Sequence, residues 1–293
     1  MEPERCVQLE RKPRRSIEFF VRSESARTNA HCARFAREYA SLIDKMMRDA
    51  SHASLGNGNG TKLRKEITEA MGAIARVRRE LREVDRSSRS RACVFDLCSG
   101  KGLLSATLAT ALASDGRTRV RAIDNDRRMV MDHLKTEDES VSFHCVDVFS
   151  LELEELVRAE CEDEDVVVVV VGVHLCGDLS RRAIELFTKY RCDVLVLAPC
   201  CLVSEKRAIK RRYGEFGYGV RRAAKALKGR DGARSSSDLW CTLLYDTIPS
   251  HVDADFVRVH KTIDSDVDVL SEHRTFITAR RGSNVAGACR SCE

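Results

Sequence analysis

The sequence predicts a doubly wound α/β fold: a seven-stranded, mostly parallel sheet with an antiparallel edge, preceded by a helical N-terminal extension. Three observations carry that expectation. From Ala92 onward, short apolar runs alternate with segments of helical length, the pattern of a sheet whose strands are joined by helices. Val166–Val171 is hydrophobic at every position, as a strand reads when helices cover both faces of a parallel sheet, so it should be central. Finally, the strand Cys93-Val-Phe-Asp96 runs into the turn Asp96-Leu-Cys-Ser-Gly-Lys-Gly102, and the apolar run Leu103–Ala109 follows at once. Strand, tight glycine turn and helix start together form a nucleotide-binding arrangement.

The elements follow in order. Residues 1–16 are charged and proline-containing and are expected to be a disordered basic tail, with Arg5, Arg11, Lys12, Arg14 and Arg15. Residues 17–90 should form the helical extension. Ile17 to Ala53 contains neither proline nor glycine, and Phe20, Phe35, Tyr39, Leu42, Ile43 and Met46 or Met47 can line one side. Leu55-Gly-Asn-Gly-Asn-Gly-Thr61 breaks it, and Thr61 is a candidate N-cap for the next helix. There, Leu63, Ile67, Ala70 or Met71, Ile74, Val77, Leu81 and Val84 recur every three or four residues. The extension reads either as a cap packed on the next domain or as a module that grips a substrate. Ser87-Ser-Arg-Ser90 marks the boundary with a domain over 91–282. In that domain strands are expected at 93–98, 119–124, 141–146, 165–173, 193–198, 239–248 and 273–280. Helices are expected at 102–113, 127–136, about 151–160, 178–189 and 204–228. The last two strands, joined by a long loop, would make the antiparallel edge. Residues 283–293 are a flexible tail.

Bulk properties narrow the class. With 293 residues, 43% hydrophobic and 32% charged, the chain has material for a real core; with only 5% aromatic residues that core must be mainly aliphatic. The net charge of +5 is small but unevenly spread: residues 152–165 are acidic and 205–230 basic. The thirteen cysteines are odd in number and irregularly spaced, and the charged N-terminus does not read as a secretory leader. Reduced thiols in the cytosol or nucleus are the expectation. No apolar run approaches a membrane span.

The turn and the strand ends around it define a candidate ligand site. In a doubly wound sheet the ligand lies at the carboxyl ends of the strands, where strand order reverses. Gly100 and Gly102 let the backbone approach a ligand, with Ser99 and Lys101 as polar neighbours. Val120-Arg-Ala-Ile-Asp124 ends in a carboxylate twenty-two residues after Gly102, a spacing that suits an acid accepting from both ribose hydroxyls. His144-Cys-Val-Asp147 ends the following strand in another acid, placed to meet an exocyclic adenine amine. Asn125 and Val148, next to these acids, complete the candidate binding set. Helix capping alone explains any one acid, but not three at successive strand ends. A dinucleotide site prefers G-x-G-x-x-G, and here the third position is Ser105. Asp96 would repel a pyrophosphate yet favour an α-amino or sulfonium cation. S-adenosylmethionine carries both. The G-x-x-x-x-G-K-[ST] signature of an ATP site is absent.

On these residues, 92–281 resembles a class I S-adenosylmethionine-dependent methyltransferase domain of Rossmann-like fold. Phe95-Asp-Leu-Cys-Ser-Gly-Lys-Gly-Leu-Leu-Ser105 is similar to that family's first motif, with Cys98 where glycine is usual. The resemblance implies roles for Asp124 on ribose and Asp147 on adenine. Val173-His-Leu-Cys-Gly-Asp-Leu179 and Ala198-Pro-Cys-Cys201 resemble a narrower group that contains a tRNA 2′-O-methyltransferase family. That family's cysteine- and histidine-rich zinc modules have no counterpart in residues 1–90.

The two latter segments should project from the same sheet edge as Asp96. His174 is a candidate base, substrate contact or structural residue. Asp178 either orients it or caps the helix that begins there, and Cys201 completes the candidate catalytic set. No metal site is expected, because no Cys-x-x-Cys pair frames these residues. Beyond them, Lys206, Arg207, Lys210, Arg211, Arg212, Arg221, Arg222, Lys225, Lys228 and Arg230 interleave with Tyr213, Phe216 and Tyr218. Segment 205–230 could hold a phosphate backbone with bases stacked on the aromatics, or be a solvated helix face. RNA, as tRNA or rRNA, is then the expected acceptor. A small-molecule or protein methyltransferase, and a non-catalytic interaction module of the same fold, are the alternatives.

Overall fold

A computed structural model describes residues 24–42, 61–84, 89–112, 117–128, 140–200, 236–252 and 257–282. The basic tail, the 205–230 segment, Cys201, most of the helix expected at 127–136 and the C-terminal tail lie outside these residues.

The alternating runs form strands β1 (Arg91–Leu97), β2 (Thr118–Asp124), β3 (Val141–Cys145), β4 (Val166–Leu175), β5 (Val194–Pro199), β6 (His251–Val252), β7 (Val257–Ser265) and β8 (Thr275–Arg281). They make one sheet in the order β3-β2-β1-β4-β5-β8-β7-β6. The pairs from β3 to β5 are parallel; those involving β8, β7 and β6 are antiparallel. The order reverses between β1 and β4, so the crevice at their carboxyl ends is the switch point where doubly wound sheets bind ligands.

Val166–Val171 is central, as expected, and its side chains divide between two cores. Val167, Val169 and Val171 join Val94 and Val196 on one face. Val166, Val168 and Val170 join Phe95 and Leu197 on the other. Helices α3 (Thr61–Glu83) and α4 (Leu103–Leu112) cover the first face; α5 (Leu151–Glu162), α6 (Asp178–Lys189) and α7 (Ser236–Thr247) cover the second.

α3 buries the periodic stripe Leu63, Ile67, Met71, Ile74 and Val77 in the same core as β4 and β5. It approaches the sheet closely at Gly72, where a Cβ would stand 2.9 Å from Phe276 of β8 and 3.1 Å from Val269. That approach accounts for a glycine inside a helix, which costs about 1 kcal/mol in propensity. Two short helices precede α3, α1 (Glu24–Thr28) and α2 (Ala30–Glu38), and α2 packs Cys32, Phe35 and the following Tyr39 into that core. The expected single helix breaks at Asn29, whose side chain caps α2 and also donates to the Asp268 carbonyl at 2.7 Å. His31 and Arg76 converge on Asp266, tying α2 and α3 to the β7–β8 connection. Thr61 opens α3 as its first residue instead of standing before it as the N-cap.

The antiparallel edge is present, but its strands differ from those expected. Residues 239–248 are not a strand: 239–247 fall in α7 and Ile248 follows it, with Trp240, Cys241, Leu244 and Ile248 in the second core at helical spacing. The nearly continuous apolar run concealed that period, since such a run suits a strand or a buried helix equally. The partner of β8 is β7, where buried Val257 and Val259 alternate with exposed Arg258 and His260. With two-residue β6, the sheet has eight strands instead of seven. Among the described residues no helix is long and apolar enough to cross a membrane.

Candidate active site

Beyond Leu97 the backbone makes a tight turn, with Cys98, Gly100 and Gly102 all at positive φ (55°, 54° and 74°). Cys98 adopts the left-handed conformation that glycine would take without penalty, at a cost of about 1–2 kcal/mol. The turn is tied down by its own backbone. Ser99 N donates to Ile123 O at 2.9 Å, Gly102 N to Ser99 O at 2.9 Å, and Ala106 N to Gly102 O at 2.9 Å, which starts α4.

Asp124, at the end of β2, accepts from Gly100 N on Oδ2 and from Asp126 N on Oδ1, each at 3.0 Å. Both oxygens are thereby fixed in place with lone pairs to spare. Asp147 lies two residues past β3 and is held likewise: Oδ1 accepts from Phe149 N at 2.8 Å and Oδ2 from Asn125 Nδ2 at 3.1 Å. Val148 is buried beside it, and its carbonyl accepts from the buried Arg182 at 3.0 Å.

Asp96 is only 2% exposed, with Ser105 Oγ donating to its Oδ2 at 2.6 Å. Burial pushes its carboxyl up to about 7; the Ser105 hydrogen bond opposes the rise and the Asp124 charge adds to it. Burial, reinforced by the charges of Asp124, Asp96 and Asp147, likewise lifts the Cys98 thiol to about 12. A thiol raised in this way is neutral near pH 7.

S-adenosylmethionine fits this half of the site on three counts. Ser99 Oγ is buried with no hydrogen-bond partner among the described residues. A Cβ at Gly100 would meet no atom within 4 Å, so the turn is open there. Asp96 is a carboxylate held short of its charge, which a neighbouring cation would restore.

The other half assembles at the ends of β4 and β5. The β4–β5 register shifts between Val173 and Leu175, next to Gly172, where a Cβ would collide with Leu175 at 2.2 Å. His174 sits within this irregularity at φ 63°. Its Nε2 lies 2.5 Å from Oε2 of Glu69 on α3, and its ring meets His273 edge-on with centroids 6.4 Å apart. Cys176 and Cys200, just past the paired ends of β4 and β5, bring their Sγ atoms within 2.9 Å, and Cys200 Sγ also donates to His174 O at 3.2 Å. Asp178 opens α6 and lies 3.7 Å from Arg181. Burial pushes its carboxyl up, and Arg181 opposes that. The carboxylate on His174 is therefore that of Glu69, and the orienting contact considered for Asp178 gives way to this one. Beside the site runs a cleft of about 340 Å³ lined by Phe149, Asp178, Arg181, Arg182 and Glu185.

The structure thus gathers Asp96, Cys98, Ser99, Gly100, Gly102, Asp124, Asn125, Asp147 and Val148 at the ends of β1–β3. It brings His174 and Asp178 to the end of β4. Glu69 and His273 are not singled out by the sequence, and Ser105 stands out there only as the place where a third glycine is missing. Ser105 is reachable by reading one helical turn past Gly102. Glu69 carries a weaker signal, an acid flanked by the apolar stripe of an amphipathic helix.

Residues 62–205, from the start of α3 to just past β5, match a family model described as a methyltransferase domain. Over those residues the chain carries a methyltransferase domain. No curated protein matches the chain by sequence. Among solved structures it is similar to the 23S rRNA methyltransferase ErmE, with 14% identity over 72% of this chain and 68% of that one and a TM-score of 0.37. It is also similar to the carbon methyltransferase DszA, at 16% identity over 95% and 71% of the two chains with a TM-score of 0.43. A third is the plantazolicin methyltransferase BpumL in complex with SAH, at 11% identity over 94% and 98% with a TM-score of 0.35.

Proposed function

We propose that this methyltransferase acts on a hydroxyl group of RNA, in tRNA or rRNA, with His174 as the base. The observation that carries the reading is the position of His174: at the carboxyl end of the central strand, on the sheet edge that also bears Asp96, and backed by a carboxylate. A hydroxyl acceptor must lose its proton as it attacks, and a neutral imidazole is suited to take it. The bound donor supplies a methyl carbon activated by its sulfonium. The protein's part is to hold, align and exclude water. Asp124 would hold the ribose hydroxyls and Asp96 the cationic end, while Asp147, Asn125 and Val148 would meet the adenine. RNA is supported by the basic, aromatic-containing segment 205–230, which follows Cys200 almost directly in the chain. The thirteen cysteines, odd in number and irregularly spaced, suit a reducing compartment, cytosol or nucleus.

The test is transfer of a labelled methyl group from S-adenosylmethionine into fractionated RNA, protein and metabolites. Label in RNA at alkali-resistant linkages, the mark of a methylated 2′-hydroxyl, is the expected result. Label confined to protein or metabolites refutes the reading. Joint neutralisation of Arg211, Arg212, Arg221 and Arg222 should weaken RNA binding and flatten its salt dependence, by about one unit of slope for each phosphate that is no longer neutralised. Unchanged binding at physiological salt would remove the basic segment from the proposal.

A further inference from the structure

We infer that Glu69 is the positioning residue for His174, fixing which ring nitrogen faces the acceptor; this rests on His174 being the base. Glu69 is 2% exposed and lies on α3 among buried Ile67, Ala70 and Ala73. A carboxylate in such a place costs more than an apolar residue of similar size, so its presence calls for a compensating partner. Its Oε1 lies 4.0 Å from Lys65 Nζ, one turn back along the helix. Its Oε2 lies 2.5 Å from His174 Nε2. Neither oxygen completes an aligned hydrogen bond among the described residues, so the contact is a close ion-pair approach that a small ring rotation would align.

The chemistry of that approach is directional. A carboxylate only accepts, so the nitrogen beside it must carry the hydrogen. Nε2–H toward Glu69 leaves Nδ1 bare, and Nδ1 becomes the atom that takes the acceptor's proton. The same carboxylate then faces the imidazolium that forms and stabilises it, as an orienting acid does behind any histidine base. The ring has few other choices. The left-handed backbone at His174 sets its direction, Cys200 Sγ holds its carbonyl, and His273 stands edge-on against the ring. α3 thereby contributes to the chemistry as well as to the core.

Nitrogen-15 NMR of the histidine rings in the full chain tests this without a known acceptor. The His174 signal would be assigned by its loss in His174→Gln. At a pH where the ring is neutral, the intact protein should show His174 protonated on Nε2. Glu69→Leu, similar in shape but unable to accept, should shift the signal toward a mixture of tautomers. Glu69→Gln, which can still accept, should restore the Nε2–H form. Calorimetry with S-adenosylmethionine checks that both variants are folded and bind donor as the intact protein does. In labelled transfer to RNA, kcat should fall about 100-fold in Glu69→Leu and about 10-fold in Glu69→Gln with KM for RNA unchanged, part of the ~10²–10⁴ that a general base supplies. Nitrogen shifts in Glu69→Leu identical to those of the intact protein overturn the inference. Should the shifts move as expected while kcat stays constant, the positioning contact stands and His174 is not the base.

Discussion

The donor turn and the cluster around His174 share one sheet edge but are assembled in opposite ways. The donor turn is local. Asp96, Cys98, Gly100, Gly102 and Ser105 lie within ten residues, and backbone N–H groups fix the turn and its partner Asp124. The reacting cluster is long-range: Glu69 comes from α3, His174 from β4, Cys200 from the end of β5 and His273 from the segment before β8. The β4–β5 and β5–β8 ladders hold the strands that carry or flank His174, Cys200 and His273, but only the packing of α3 on the sheet brings Glu69 to them. The first half should tolerate shifts of the surrounding helices, and the second should not.

Substitutions can separate the halves. The largest effect is expected from Asp124→Ala, which removes the carboxylate that anchors Gly100 and would receive the ribose. Charge-assisted hydrogen bonds of this kind contribute about 2–3 kcal/mol, so donor affinity should fall roughly 30- to 150-fold by calorimetry. Unchanged affinity removes Asp124 from the donor site.

Next is Asp96→Asn, read against pH. With its folded carboxyl raised to about 7, Asp96 holds a proton that the unfolded chain has released above about 4. Its contribution to stability is therefore present at low pH and is lost as pH rises through about 7. Donor binding runs the other way, because the cation needs the carboxylate: affinity should weaken as pH falls from 8 to 6 in the intact protein. Asp96→Asn should bind about tenfold more weakly at pH 8 and show no such pH dependence. A variant with the same pH profile as the intact protein contradicts this role.

Gly72→Ala probes the other half. Its new methyl presses on Phe276 and Val269, displacing α3 at a net cost of about 1–2 kcal/mol in stability by chemical denaturation. Turnover should fall severalfold while donor affinity holds; equal loss of both would show that the halves are not separable. The smallest effect is expected from Cys98→Gly. Relief of the left-handed strain, offset by glycine's greater freedom when unfolded, should raise stability by about 1 kcal/mol or less, with donor affinity unchanged. A loss of stability would mean that the buried thiol's packing outweighs the strain.

The same contrast explains what could be read in the sequence. The geometry of the turn was legible because Asp96 to Ser105 occupy one stretch of chain. The all-valine strand was legible because its burial on both faces leaves a pattern in single residues. Residues 239–248 misled because an apolar run has no period to read, and β7 was missed because Arg258, His260 and Asp264 disguise an edge strand. Glu69 could not be assigned because a glutamate on an amphipathic helix looks solvent-facing; only the arrival of β4 beneath it makes it a partner. Asp178, four residues after His174 in sequence, was the natural candidate for a contact that belongs to a residue on a different helix.

The seating of α3 also has a consequence for how the chain is made. α3 is translated before β1, yet its stripe of Leu63, Ile67, Met71, Ile74 and Val77 is covered by strands that are translated later, and Gly72 meets Phe276 of the last strand. During synthesis this helix leaves the ribosome with only Cys32, Phe35 and Tyr39 of that core already made, so most of its apolar face is bare. It must wait there, or be shielded by a chaperone, until β8 emerges and closes the core.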